Sequence, residues 1–473
     1  MQNVFQTDKS RNLEQHKDIF ESMEISPYFQ IMIKGISELV KIPTLYDETA
    51  ISPSEPYGKK VSEGLEWIKK TALKDGFEIL EFDGHVLAIR IKGTSSGKRI
   101  DVVSHVDVVE PGEGWNHNPF KGDIQNGYIY GRGTQDMKGP LMVTYYALKY
   151  IKDHNLQGKN EIRIVIGSDE ERTMGDMRYY ITKAGEPDFA FTPDGKFPLS
   201  YGEKGALMWH IQASMDTCIV KLAGGVQCNV VSPSAVAFLD GSEKVENYRK
   251  ELLNSGYRGE ISIEGELLKI TVHGRAAHAG RPSDGCNATV QLLDLIQRVS
   301  QDSLAVMLYH CFSDPYGTGA GIYYDMESMG KLTLNLGILI IENHTVTADI
   351  DCRYPYGTDS FYLTQKLKEA LEPFSVELKY DDKPTITDIS SPYVQTLLTT
   401  YRRITGDTNA EPMVSSGVTY SKAIRNCVAF GPMKEDELLL AHQADEKIEI
   451  NKIKQLFMVY TEAMYRLSNL QES

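Results

Sequence analysis

Long apolar runs are absent from this chain: among 473 residues the longest, such as 336–341, fall far short of the about 20 residues that cross a bilayer. No membrane-spanning segment is expected. The N-terminus, MQNVFQTDKSRNLEQ, has neither a basic start leading into an apolar core nor a small-residue cleavage site. No secretory signal is therefore expected, and the cytoplasm is the expected location. Cysteine is sparse, and the six present, Cys218, Cys228, Cys286, Cys311, Cys352 and Cys427, include no pair at metal-knuckle or redox spacing. A chain this long does not depend on disulfide staples, so reduced thiols, mostly core filler, are expected. Excess basic charge is missing as well: 50 Lys and Arg stand against 65 Asp and Glu, a net charge of −15 with no basic block. A polyanion would be repelled at most approach angles, which argues against nucleic acid and anionic membrane as partners.

What is present is an ordinary globular composition, 41% hydrophobic and 24% charged, over a length that suits two or three domains. Val61, Leu65, Ile68 and Ala72 recur at helical steps and stop before Gly76, which predicts an amphipathic helix with a glycine end. Short apolar runs at 100–103, 162–166 and 189–191, separated by helical stretches such as 140–151, predict an α/β sheet with crossover helices. After Gly205 the texture changes. Segments 267–272 and 346–350 read as strands of a partly exposed antiparallel sheet, and 288–299 and 361–371 as helices packed on one face. The insert holds two strand-helix stretches, the pattern a diverged duplication would leave. A helix at 392–403, a buried strand at 426–431 and a helix at 452–467 then resume the first texture. The expected architecture is an α/β catalytic domain with a mixed central sheet flanked by helices, from 1–205 and 383–473, interrupted by an inserted α+β lid domain at 206–382.

Chemistry-bearing residues cluster after the strands. Ser104-His105-Val106-Asp107 follows the first strong strand, at the end where open α/β sheets place ligands. Read singly, it is a hydrogen-bonded structural pair. The run Gly131-Arg132-Gly133-Thr134-Gln135-Asp136-Met137-Lys138-Gly139 puts Asp136 at a helix start, where an N-cap is the plain reading. That reading leaves the surrounding glycine unexplained. Ser168-Asp169-Glu170-Glu171 reads singly as a solvated acidic turn, Asp194 in Thr192-Pro193-Asp194 as a turn residue, and His442 as a surface histidine. Jointly they place imidazoles and carboxylates at one end of one sheet, the mixture that hard or borderline divalent metals accept.

In this order, His-x-Asp, Gly-Arg-Gly-x-x-Asp-x-Lys-Gly, Glu-Glu, Pro-Asp and a late His, the chain resembles the M20 metallopeptidases, most of all their bacterial PepV-type dipeptidases. The resemblance runs from about Tyr28 to Leu467. It implies that His105 and Asp194 hold one divalent metal, Glu171 and His442 a second, and that Asp136 bridges them. It implies further that Asp107 orients His105, that Glu170 is the general base, and that His278 stabilises the transition state. Asn229, Arg353 and Gly417 would contact substrate. Ser104 stands where the family usually has glycine, and 415–420 has fewer glycines than its relatives, which implies a narrower pocket beside the scissile bond.

The expected activity is hydrolysis of dipeptides with a free C-terminal carboxylate by a metal-activated water and a glutamate base. Two divalent ions are expected, zinc first and manganese or cobalt as alternatives. The insert is long enough for a duplicated lid, so a monomer that supplies His278 to its own site is expected. Removal of an N-acyl group from amino acids on the same scaffold, and a non-catalytic binding protein, remain open alternatives.

Overall fold

The computed structural model describes residues 27–434 and 436–471, so the N-terminal stretch read for a leader lies outside the described residues. Two compact units emerge: the described residues up to Tyr201, with Thr387–Met413 and those from Val418 on, and a second unit of Gly202–Ile386 with Val414–Gly417.

In the first unit, strands Arg99–His105, Glu161–Gly167, Phe189–Thr192 and Cys427–Ala429 pair in parallel, with Arg99–His105 lying between Glu161–Gly167 and Phe189–Thr192. Val86–Ile91 and Glu78–Phe82 extend the sheet antiparallel, making it mixed. Side chains alternate between its faces, as a pleated strand requires. Val102, Ile162, Ile164 and Ile166 enter one core with helices Pro27–Val40, Lys59–Lys74, Lys138–Asp153, Pro392–Thr405 and Ile450–Asn469. Val103 and Val165 enter a second core, against Met177 and Tyr180 of helix Gly175–Ala184. Full burial of each such aliphatic side chain contributes roughly 1.5–3 kcal/mol. The expected helix with its glycine end is Lys59–Lys74, which buries Val61, Leu65, Ile68 and Ala72 and turns at Gly76 with φ +73°. The strand expected at 426–431 is shorter, Cys427–Ala429, because Gly431 at φ +73° turns the chain out of the sheet.

The second unit is built on an eight-stranded sheet whose neighbouring strands all run antiparallel. In spatial order they are Arg258–Glu264, Leu267–His273, Ser234–Leu239, Ile219–Gly224, Thr333–Glu342, Thr345–Tyr354, Gly205–Ser214 and Ser375–Asp382. Val346, Ala348, Ile350 and Cys352 share a core with Leu292 and Ile296 of helix Ala288–Ser300 and with Leu363 and Leu367 of helix Ser360–Ala370. Among the described residues no helix is long and apolar enough to cross a membrane. All six cysteines are free; Cys311, Cys352 and Cys427 are buried, whereas Cys286 is exposed and fills no core.

Candidate active site

Three neighbouring parallel strands deliver their C-terminal ends to one place. His105 is the last residue of its strand, Glu170 and Glu171 follow the strand ending at Gly167, and Asp194 follows the strand ending at Thr192. Their side chains converge. His105 Nε2 lies 3.1 Å from Asp136 Oδ1, 3.4 Å from Asp194 Oδ2 and 3.9 Å from Glu170 Oε2. His442 Nε2 lies 3.2 Å from Asp136 Oδ2 and 3.1 Å from Glu171 Oε2. Asp136 therefore turns one oxygen to each imidazole.

The plain readings of Asp136 as an N-cap and of 168–171 as a solvated turn do not hold, whereas His442 is exposed, as its plain reading expects. Helix Lys138–Asp153 is preceded by Met137 in the N-cap position, without a side-chain cap, so the Asp136 carboxylate is free to face the imidazoles. The glycines are there for close approach. At Gly131, φ +144°, a Cβ would come within 2.5 Å of Val40, and at Gly139 within 2.1 Å of the Thr134 carbonyl oxygen. Nor is 168–171 a solvated turn, since the Glu170 and Glu171 side chains are only 8% and 9% exposed.

His105 Nδ1 donates to the carbonyl oxygen of Asp107 at 3.0 Å, while the Asp107 carboxylate lies 3.4 Å away, beyond a good hydrogen bond. Nε2 then faces the carboxylate cluster; burial opposes protonation of the ring, but Asp107, Asp136 and Asp194 outweigh it and raise the His105 pKa well above its usual value. The Asp107 carboxylate instead accepts the Glu171 backbone N–H at 3.1 Å, tying the two strand ends together. Asp107 thus orients His105 mainly through its backbone, a contact its side-chain type could not announce.

Electrostatics follow from many carboxylates in little water. Burial, reinforced by Asp194, Glu171 and Asp136 against the opposing pull of His105, pushes Glu170 well above the usual carboxylate range. Burial and Asp136 push Glu171 up to about 7, against the opposing pull of His442. Burial and Asp136 also push Asp194 up, while His105 opposes. Asp136 goes the other way: burial opposes ionisation, but the two imidazoles outweigh it and hold the carboxyl well below its usual range. Hydrogen bonds to Asp136 and Glu171 raise His442 to about 10.

In the second unit, His278 is exposed and its Nδ1 accepts the Gly280 backbone N–H at 3.0 Å, which leaves the proton on Nε2 as an outward donor. Partial desolvation of the ring and the positive charge of Arg353 and Arg281, against the opposing pull of Asp351, lower its pKa and favour this neutral form. Asn229 sits beside it in the chain's tertiary order: the Ala279 N–H donates to the Asn229 carbonyl oxygen at 2.9 Å. Arg353 already uses one edge, Nε and Nη2, in a two-point bond to Asp351 at 2.9 and 2.8 Å, while Nη1 donates to the Ser416 carbonyl oxygen at 3.3 Å. Gly417 accompanies Ser416 in this unit, its N–H donating to Ser415 Oγ at 2.9 Å.

Several supporting residues escaped the motif reading. Asp176 is buried and accepts the Asp169 N–H at 3.0 Å together with the Tyr420 hydroxyl, so it holds the start of the Glu170-Glu171 turn from below. Asp351 in Asp-x-Arg is a second, and Glu446 a third. Their only sequence signal is a polar residue inside or beside a motif at a position that must be buried.

The donor set fits divalent cations. His105 Nε2 and Asp136 Oδ1 are buried without a hydrogen-bond partner and lie 3.1 Å apart. Single ligand atoms of His105, Asp136 and Glu171, and of His105, Glu170 and Asp194, lie within 4.8 Å of one another. Four carboxylates crowd two imidazoles, and buried anions are costly unless compensated by positive charge.

The sequence profile of peptidase family M20/M25/M40 matches residues 102–466. A Bacillus subtilis (strain 168) protein named "Putative dipeptidase YtjP" is 32% identical over 92% of this chain and 97% of its own length. A Staphylococcus aureus (strain bovine RF122 / ET3-1) protein, "Putative dipeptidase SAB1611c", is 29% identical over 94% of this chain and 98% of its own. Among solved structures, human carnosine dipeptidase 1 is similar with a TM-score of 0.59 at 14% identity, over 96% of this chain and 99% of that one. An M20 family metallo-carboxypeptidase from Sulfolobus solfataricus gives 0.55 at 19%, over 94% and 100%. These structural likenesses show a common fold. The profile and the Bacillus relative establish that the chain belongs to peptidase family M20/M25/M40, the metallopeptidases that its motifs resemble.

Proposed function

We propose that this enzyme hydrolyses dipeptides bearing a free C-terminal carboxylate, with His105 and Asp194 holding one divalent cation, His442 and Glu171 a second, and Asp136 serving both. The observation that carries the proposal is the Asp136 carboxylate, whose two oxygens lie 3.1 and 3.2 Å from the two imidazoles. The relatives named as dipeptidases support the substrate class. When bound, the cations would polarise the scissile carbonyl and lower the pKa of water. Zinc is the expected ion, and manganese or cobalt would suit the same donors.

Glu170 takes a proton from the attacking water and returns it to the leaving amine. Its carboxylate stands 3.9 Å from His105 Nε2, beside the proposed ligands His105 and Asp194 and so next to the position of the attacking water. Asp107 fixes the His105 tautomer. His278 donates from Nε2 to the oxyanion, a bond type commonly worth about 3–4 kcal/mol in the transition state. Arg353 binds the substrate α-carboxylate through the Nη1 and Nη2 hydrogens that Asp351 and Ser416 do not take, and Asn229 and Gly417 border the substrate. The functional division is a catalytic domain from 1–205 and 383–473 and a lid from 206–382. The enzyme acts on small peptides, in the cytoplasm, as a monomer.

Metal-reconstituted hydrolysis of a dipeptide panel tests this reading. Free dipeptides should be cleaved and C-terminally amidated ones poorly. Cleavage of N-acyl amino acids in preference to free dipeptides would instead make the enzyme an amidohydrolase.

A further inference from the structure

Glu446 lies four residues beyond His442 and is completely buried. Its carboxylate accepts hydrogen bonds from Arg132 Nη1 at 2.7 Å and from the backbone N–H groups of Gly133, Gln135 and Asp136 at 3.1, 2.7 and 3.2 Å. Its carbonyl oxygen accepts the Gly131 N–H at 2.9 Å. A single residue therefore takes up donors along the whole turn from Gly131 to Asp136. Arg132, itself 1% exposed, supplies the balancing charge. It also donates to the carbonyl oxygens of Gln443, Glu110 and Pro111 and lies 5.3 Å from the Trp115 ring centroid.

The neighbouring residue works alongside. Asp445 accepts from the N–H groups of Asn116 and His117 at 2.9 and 3.0 Å. His442 and Asp445 both adopt left-handed backbone, φ +65° and +57°, a conformation that non-glycine residues keep only where surrounding contacts enforce it. The segment from His442 to Glu446 is thus a short strap. One end carries the His442 imidazole, and the other grips the backbone of the residue whose carboxylate faces that imidazole.

We infer that Glu446 is a positioning residue that sets the distance between Asp136 and His442, and so governs the second cation position without touching the cation. The inference rests on the two-cation reading above. Outer hydrogen-bond partners of metal ligands commonly change affinity about 10–100-fold when removed. In Glu446→Gln, the amide replaces one acceptor oxygen by a donor, so it cannot serve Arg132 and three N–H groups together.

The test is calorimetric titration of Mn²⁺ into metal-stripped protein, with turnover measured across Mn²⁺ concentrations. The parent should bind two ions. Glu446→Gln should bind the first with parental affinity and the second at least about tenfold more weakly. Its kcat at limiting Mn²⁺ should fall more than its KM changes, and should recover as Mn²⁺ is raised. A lowered melting temperature with both affinities unchanged would overturn the inference and leave Glu446 a purely structural ion-pair partner. A parent that binds fewer than two ions would overturn the two-cation reading itself. Should Glu446→Gln fail to fold, Arg132→Gln/Glu446→Gln leaves no uncompensated buried charge and is read by the same titration.

Discussion

At the scale of single residues, adjacent glutamates in one turn face different partners. Glu171 meets His442 at 3.1 Å, whereas Glu170 stands 3.9 Å from His105. Glu170→Gln should keep both ions and lose about 10²–10⁴-fold in kcat, the usual contribution of a general base. Glu171→Gln should weaken metal binding first. Metal analysis beside steady-state kinetics separates them, and near-normal turnover of Glu170→Gln would remove it from the base role. The residues brought to this site were legible because motif chemistry is local: His-x-Asp and Glu-Glu at strand ends announce themselves. Glu446, Asp176 and Asp351 were not, because their work is to satisfy backbone donors or another side chain, and residue type alone does not say which donors a carboxylate will meet.

At the scale of elements, helices with clear periodicity read correctly, as Lys59–Lys74 and Ile450–Asn469 illustrate. The hairpin Glu78–Phe82 and Val86–Ile91 left little trace, because Glu81, Arg90 and Glu78 interrupt its apolar alternation. Register explains two of those charges, Glu78 and Arg90. Glu78 pairs across to Arg90, Arg90 to Arg163, and Arg163 to Asp101, forming a charged row over the sheet. Asp101 is completely buried at its end, accepts the Tyr180 hydroxyl at 2.9 Å, and is pushed up to about 6 by burial, with Arg99, Tyr180 and Arg163 opposing. The folded chain therefore binds this proton more tightly than the unfolded chain, whose group titrates near 3.8. The resulting stability is complete below pH 3.8 and is lost as pH rises to about 6, on the order of 3 kcal/mol. Denaturant unfolding of parent and Asp101→Asn at pH 4 and pH 7 checks this. The parent should lose stability relative to the variant across that interval, and a constant difference would contradict it.

At the scale of the whole molecule, the proposed cation ligands belong to one unit and His278, Asn229, Arg353 and Gly417 to the other. The proposed monomer would have to supply His278 to its own site. Mixing inactive His278→Ala with inactive Glu170→Gln should then restore no activity, whereas substantial recovery would mean a histidine exchanged between subunits. The central claim remains that one carboxylate, Asp136, serves two cations in a peptidase, and the most direct measurement is hydrolysis of a free dipeptide while ions are titrated into metal-stripped protein. Turnover in the parent should reach its plateau at two ions per chain, and Asp136→Ala should neither retain ions at either position nor turn over. Full activity with one ion or none, or two tightly held ions in Asp136→Ala, would contradict it.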